Sequence, residues 1–159
     1  MNNNNSYINL MIDSLEKKVS VLERITEVNE RQKKIVTDSD FDMDALDTTV
    51  EEKGKLVDEI NKLDEGFESL YARVRDALQE DKAQYADKIV IMQKLIQRIV
   101  ELTTSIEADE KRIKANVDSQ FSKIKQTVKE TRKNSKMVSN YYKNMSKLDT
   151  EPQFMDKKK

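Results

Sequence analysis

The chain contains no cysteine, no histidine and no tryptophan, and only two glycines and one proline. Without cysteine there is no disulfide framework, no thiolate nucleophile and no sulfur-bound zinc site, and nothing calls for an oxidising compartment. Without histidine the commonest general base and the commonest metal ligand are gone, and with them the usual Ser-His and Cys-His nucleophile pairs. Two glycines cannot build a phosphate-cradling loop. These absences argue against an enzyme, a bound cofactor or a small-molecule substrate. Long apolar runs are also missing: none approaches the ~20 residues that cross a bilayer. The N-terminus, MNNNNSYINLMIDSLEKK, has neither the basic start nor the uninterrupted apolar stretch of a secretion signal. The expectation is a cytoplasmic protein without stable membrane insertion.

What the chain does have is charge and helix-forming periodicity. Its 159 residues suit one domain, and a composition 36% hydrophobic and 37% charged is lean for a globule but typical of long helices. The 29 basic and 30 acidic residues nearly cancel, so no bulk field draws the chain to nucleic acid or anionic lipid. The distribution is uneven, because Arg132 to Lys159 carries 8 basic and 3 acidic residues while the preceding part is net acidic.

Residues 1–7 read as a disordered, Asn-rich start, too polar to bury, with Ser6 a plausible helix cap. From Ile8 the apolar residues Ile8, Met11, Ile12, Leu15, Val19, Leu22, Ile25, Val28 and Ile35 recur every three or four positions, which predicts a first helix ending near Val36. The segment TDSDFD, Thr37 to Asp42, interrupts this with capping-type residues, and connections of that length join antiparallel helices. Asp44 and Asp47 then suit the positive end of a second helix opening near Asp42. Its apolar line runs from Met43 through Val57, Ile60 and Val74 to Leu78. Gly54 and Gly66 lie within it, as a close approach of a neighbour or simply a softer helix. No β-branched residues alternate with polar ones over a useful length, so no strand is predicted.

The third pattern is the most regular. One seven-residue register places Tyr85, Met92, Ile99, Ile106 and Ile113 at one position and Ile89, Ile96, Val117 and Ile124 at the other, with Thr103 and Glu110 interrupting. A turn is required somewhere in ALQEDKAQYA, Ala77 to Ala86, although that stretch holds neither Gly nor Pro. The sequence therefore predicts an all-α, elongated antiparallel bundle of three long helices over 8–131, followed by a basic, largely flexible tail over 132–159. At about 1.5 Å per residue the third helix, roughly 70 Å, outreaches the first, roughly 45 Å. Val117, Phe121, Ile124 and Val128 should then project an apolar edge with little intramolecular cover, and a lined-up apolar stripe commonly marks an interaction surface.

Other candidate sites are weaker. Asp38, Asp40, Asp42 and Asp44 alternate like calcium-loop ligands, and Glu51 stands at the twelfth place from Asp40, but Ala45 occupies the position of the obligatory turn glycine. Helix-start electrostatics explains the run better, and no metal site is assigned. Carboxylate pairs such as Glu51 with Glu52, or Asp109 with Glu110, lie on charged faces without a concave pocket to perturb them. Lys111, Arg112, Lys114, Lys123, Lys125, Lys129, Arg132, Lys133 and Lys136 are interleaved with Asp109, Glu110, Asp118 and Glu130, which argues against nucleic-acid binding. Tyr141 and Tyr142 sit in the tail as a docking motif or a mere overhang.

The order LMIDSLEKKVSVLERITEVNERQKKIV, then DSDFDMDALDT, then VEEKGKLVDEINKLDEGFESLY resembles the FlgN-type flagellar export chaperones. Those proteins have a Leu-rich first helix, an acidic link, and a stretch in which Glu-Glu-Lys precedes Leu-rich turns. Glu51, Glu52, Lys53, Leu56, Ile60 and Leu63 fit that stretch, and the resemblance covers roughly Ile8 to Val128. The tail YYKNMSKLDTEPQFMDKKK is similar to tails within the family. The Asn that members carry late in the third helix has its nearest counterpart in Asn116, within KANVDSQF. The resemblance implies a cytosolic chaperone of the flagellar type III secretion system that binds the terminal helices of hook-filament junction proteins, with the export gate as a further partner. Together with the overhang it points to Ile106, Ile113, Val117, Phe121, Ile124 and Val128 as the client-binding stripe, with Tyr141 and Tyr142 beside it. The alternative is a self-associating structural coiled coil.

Overall fold

In the computed structural model, which describes residues 3–131 together with 143 and 144, the chain forms three α-helices: α1 over Asn3–Thr37, α2 over Met43–Glu80 and α3 over Ala86–Thr131. No strand occurs among the described residues, and the fold is the expected all-α bundle in which α1 packs against α2 and α3. The flexible tail expected over 132–159 lies outside the described residues, apart from 143 and 144, which are helical.

The first connection is built by the acidic run. Asp38 accepts the Asp40 backbone N–H at 3.0 Å, closing a small turn after α1. Asp42 accepts the Ala45 N–H through its side chain at 3.2 Å and the Leu46 N–H through its carbonyl at 3.2 Å, the geometry of a helix N-cap. These two carboxylates therefore serve the backbone. The second connection spans 81–85 without Gly or Pro. Asp81 still donates to the Ala77 carbonyl at 3.0 Å, and Tyr85, itself buried, accepts the Ile89 N–H at 2.9 Å to open α3. Burial of Tyr85 supplies the reason to turn that local sequence does not show.

One boundary is corrected. The disordered start expected over 1–7 is helical from Asn3, because tertiary partners are available to it. Tyr7 receives the Arg73 guanidinium both as a hydrogen bond at 3.1 Å and over its ring at 5.3 Å, and Lys88 reaches Asn5 at 3.5 Å.

The expected single unit also divides. Of the described residues, one compact unit takes 3–27 and 53–106, and the other takes 28–52 and 107–131. In the first, antiparallel pairing of α1 with α2 follows from Ser14 donating to the Leu63 carbonyl (3.2 Å), Lys18 to Asp64 (2.7 Å) and Arg24 to Glu59 (2.8 Å). Arg98 lies 3.7 Å from Glu23, which, with Lys88 and Asn5, sets α3 parallel to α1. The exposed pairs Arg24–Glu59 and Arg98–Glu23 order the surface more than they stabilise it. Stability comes from Ile8, Met11, Leu22 and Ile25 of α1, Val57, Ile60 and Val74 of α2, Tyr85 just before α3, and Met92, Ile99, Leu102 and Ile106 of α3, all buried.

A β-carbon added at Gly54 or Gly66 would meet no other heavy atom within 4 Å, so no close approach explains either glycine. Both lie inside α2. Gly54→Ala and Gly66→Ala should each raise unfolding free energy by about 0.5–1 kcal/mol, read as a shift of the urea midpoint at unchanged slope.

In the second unit, Gln32 donates to the Thr49 hydroxyl at 2.9 Å and Arg31 pairs with Glu52, again antiparallel. Gln120 of α3 donates to the carbonyls of Val36 (2.9 Å) and Asp38 (3.0 Å), satisfying acceptors that the end of α1 leaves open. Val36, Met43, Leu46, Ile113, Val117 and Phe121 form one buried cluster, with Ile35, Phe41 and Ile124 packed on it. Phe41 meets Phe121 edge to face, centroids 6.1 Å apart. The expected free edge is thus corrected: Ile113, Val117 and Phe121 are core, because the end of α1, the connection bearing Phe41 and the first turn of α2 cover them.

Lys33 bridges Asp109 at 2.7 Å and Glu30 at 2.8 Å. The hydrogen bond to Asp109, then that to Glu30, hold its ammonium above the ordinary value of 10.5. A raised lysine stabilises the fold fully below its unfolded pKa and loses that contribution as pH rises through the folded one. Unfolding free energy should therefore fall above about pH 10, and Asp109→Ala should flatten that fall while costing about 1–2 kcal/mol at neutral pH, measured by urea titration across pH.

Candidate interaction surface

A helix that packs on one side of a bundle needs apolar residues on only part of its circumference. The stretch IVIMQKLIQRIV, Ile89 to Val100, has more than that, with apolar side chains at 89, 90, 91, 92, 95, 96, 99 and 100. The surplus is left outside. Val90 and Ile91 are each 46% exposed, Ile96 is 45% and Val100 is 57%. Leu10 on α1 and Tyr71 on α2 are the other large apolar side chains exposed to this degree among the described residues, and both belong to the same unit.

The line Tyr85, Met92, Ile99, Ile106 and Ile113, which runs from the residue before α3 along the helix, is buried throughout, as the register requires. The companion line differs from the expectation. Leu95, half-buried, and Leu102, buried, complete the intramolecular seam at three residues after Met92 and Ile99, whereas Ile96 stands exposed and Ile89 half-buried. Both spacings are helical, and the pattern by itself does not choose between them. Arg98 decides the side: it faces Glu23 of α1, and Ile89, Ile96 and Val100 lie about 160–180° round the helix from it.

Ile89, Gln93, Ile96, Val100 and Thr103 follow one another at intervals of four, three, four and three residues, the spacing of a second helix-packing seam. Gln97 and Thr104, both exposed, run alongside it and carry no charge. α3 therefore presents two lines in this unit, one buried in the bundle and one open to solvent.

The sequence-assigned stripe fares differently. Ile106 is fully buried in the first unit, Ile113, Val117 and Phe121 are buried in the second, and Ile124 and Val128 are half-buried. Tyr141 and Tyr142 lie outside the described residues. Val90, Ile91 and Val100 were missed because the reading followed one line per helix. The density of apolar residues between Ile89 and Val100 was the available signal.

No helix among the described residues is long and apolar enough to cross a membrane. No protein-family model matches the sequence, and no curated protein or solved structure is significantly similar to it.

Proposed function

We propose that this chain is a protein-binding helical chaperone that covers the apolar face of a partner's amphipathic helix with the open seam on α3. The observation that carries this is the exposure of Ile96 and Val100 on one face of α3, in line with half-buried Ile89. Aliphatic side chains lined up in this way form a stripe that a helix with matching spacing covers well. The particular system is taken from the resemblance to FlgN-type proteins: a flagellar type III export chaperone whose clients are hook-filament junction proteins. A client terminal helix that is unfolded before assembly carries an apolar stripe prone to premature association, and lending it a seam keeps it apart until the export apparatus receives it. The buried stripe over Ile113, Val117 and Phe121 has no part in this. Co-expression of the chain with candidate junction proteins, comparing recovery by wild type and by Ile96→Glu with Val100→Glu, tests the reading. Equal recovery would reject the surface, and failure of wild type to recover any junction protein would reject the flagellar assignment. Self-association through the same seam is the competing use, and sedimentation of the isolated chain separates it.

A further inference from the structure

From the make-up of the two cores we infer that the unit built from 28–52 and 107–131 opens to solvent while the other stays folded, and that buried polar side chains set how easily it does so. Of the twelve described residues buried in this unit, five are polar or charged: Asn29, Gln32, Thr49, Asp109 and Gln120. Among the sixteen buried in the other unit, Lys53 alone is. Seven buried apolar side chains therefore serve 50 described residues here, whereas fifteen serve 79 there. Apolar burial drives folding, and a polar side chain in the same place contributes less, because it gives up water to make its bond. The pairing is also incomplete. Gln32 donates to the Thr49 hydroxyl at 2.9 Å, but its own buried side-chain oxygen meets no donor. Such an acceptor carries the full cost of leaving water until opening hydrates it again. Asp109 is a buried carboxylate held by Lys33 at 2.7 Å, and the attraction in such a pair offsets the desolvation of the charge with little to spare. Gln120 acts in the other direction, because its bonds to the Val36 and Asp38 carbonyls latch α3 onto the end of α1. Fraying does not account for the contrast: each unit holds three helix ends, Asn3, Glu80 and Ala86 in one and Thr37, Met43 and Thr131 in the other. Opening uncovers the apolar cluster around Phe121, which the closed form hides.

The test is amide hydrogen exchange of the full chain at neutral pH, followed by mass spectrometry and corrected for intrinsic rates. Amides at 28–32 and 46–50 should exchange at least about tenfold faster than those at 22–26 and 57–61, the size of one unsatisfied buried hydrogen-bonding group. Two variants should move the second unit in opposite directions. Gln32→Leu with Thr49→Val removes both polar partners and should slow exchange at 28–32 and 46–50 by about tenfold, whereas Gln120→Leu leaves two carbonyls without their donor and should speed it by about tenfold. Neither should change exchange at 57–61. If Gln120→Leu loses its helix content by circular dichroism, the Gln32 and Thr49 variant decides by itself. Equal protection of the two cores in wild type, or variants that shift both together, would overturn separate opening and leave one cooperative fold. Unchanged or faster exchange at 28–32 and 46–50 in the Gln32 and Thr49 variant would overturn the part given to the polar side chains.

Discussion

Phe121→Asp is expected to unfold the unit built from 28–52 and 107–131. Phe121 is 3% exposed at the centre of a cluster with Val36, Met43, Leu46, Ile113 and Val117, and its ring meets Phe41 edge to face. Truncating such a ring to Ala alone costs about 3–5 kcal/mol through lost transfer energy and the cavity left behind. A carboxylate adds the desolvation of a charge placed among apolar side chains. That sum is comparable with the whole stability of a small domain, about 5–15 kcal/mol. Far-ultraviolet circular dichroism with urea titration should show Phe121→Ala with a clearly lowered midpoint and Phe121→Asp with loss of the cooperative transition. Wild-type stability in Phe121→Asp would contradict the burial and restore this edge as a free surface.

Ile96→Glu with Val100→Glu should give the opposite pattern. Both residues are about half exposed, so the folded protein tolerates the changes within roughly 1 kcal/mol, as solvent-facing substitutions usually do. Binding should suffer heavily. A helix docked over the seam would have to bury two carboxylates on a line whose neighbours, Gln93, Gln97 and Thr103, carry no charge to pair them. Client recovery should drop at least about tenfold, equivalent to 1.4 kcal/mol or more. The pair of variants separates the two ends of α3: one loses fold, the other loses partner. Loss of stability in the Ile96 and Val100 variant, at a level matching Phe121→Ala, would show the seam to be core.

Much of the architecture was legible because it is local. The apolar spacing from Ile8 to Ile35 and from Met43 to Leu78, the capping chemistry of Asp38 and Asp42, and the seven-residue line from Tyr85 to Ile113 each depend on residues close together in the chain. Periodicity fails where two faces compete. At Leu95 and Ile96, and at Leu102 and Thr103, adjacent residues both satisfy a helical register, and only the position of the neighbouring helices decides which is buried. The stripe at Ile113, Val117 and Phe121 failed for a related reason. Helix length suggested an overhang, but Gln120 bonds the Val36 and Asp38 carbonyls and Phe41 caps Phe121, contacts 80 or more residues apart in sequence.

By itself the sequence determined that this protein is helical, that it turns after Thr37, and that it carries neither the cysteine nor the histidine on which most site chemistry depends. Those properties follow from backbone propensity and residue type, which act over a few positions. The tertiary structure alone decided the second turn after Glu80, the helical start at Asn3 and the identity of the open seam. Burial is a property of neighbours. An apolar residue on a helix becomes core or contact surface according to whether another helix happens to lie against it, and that is written only in three dimensions.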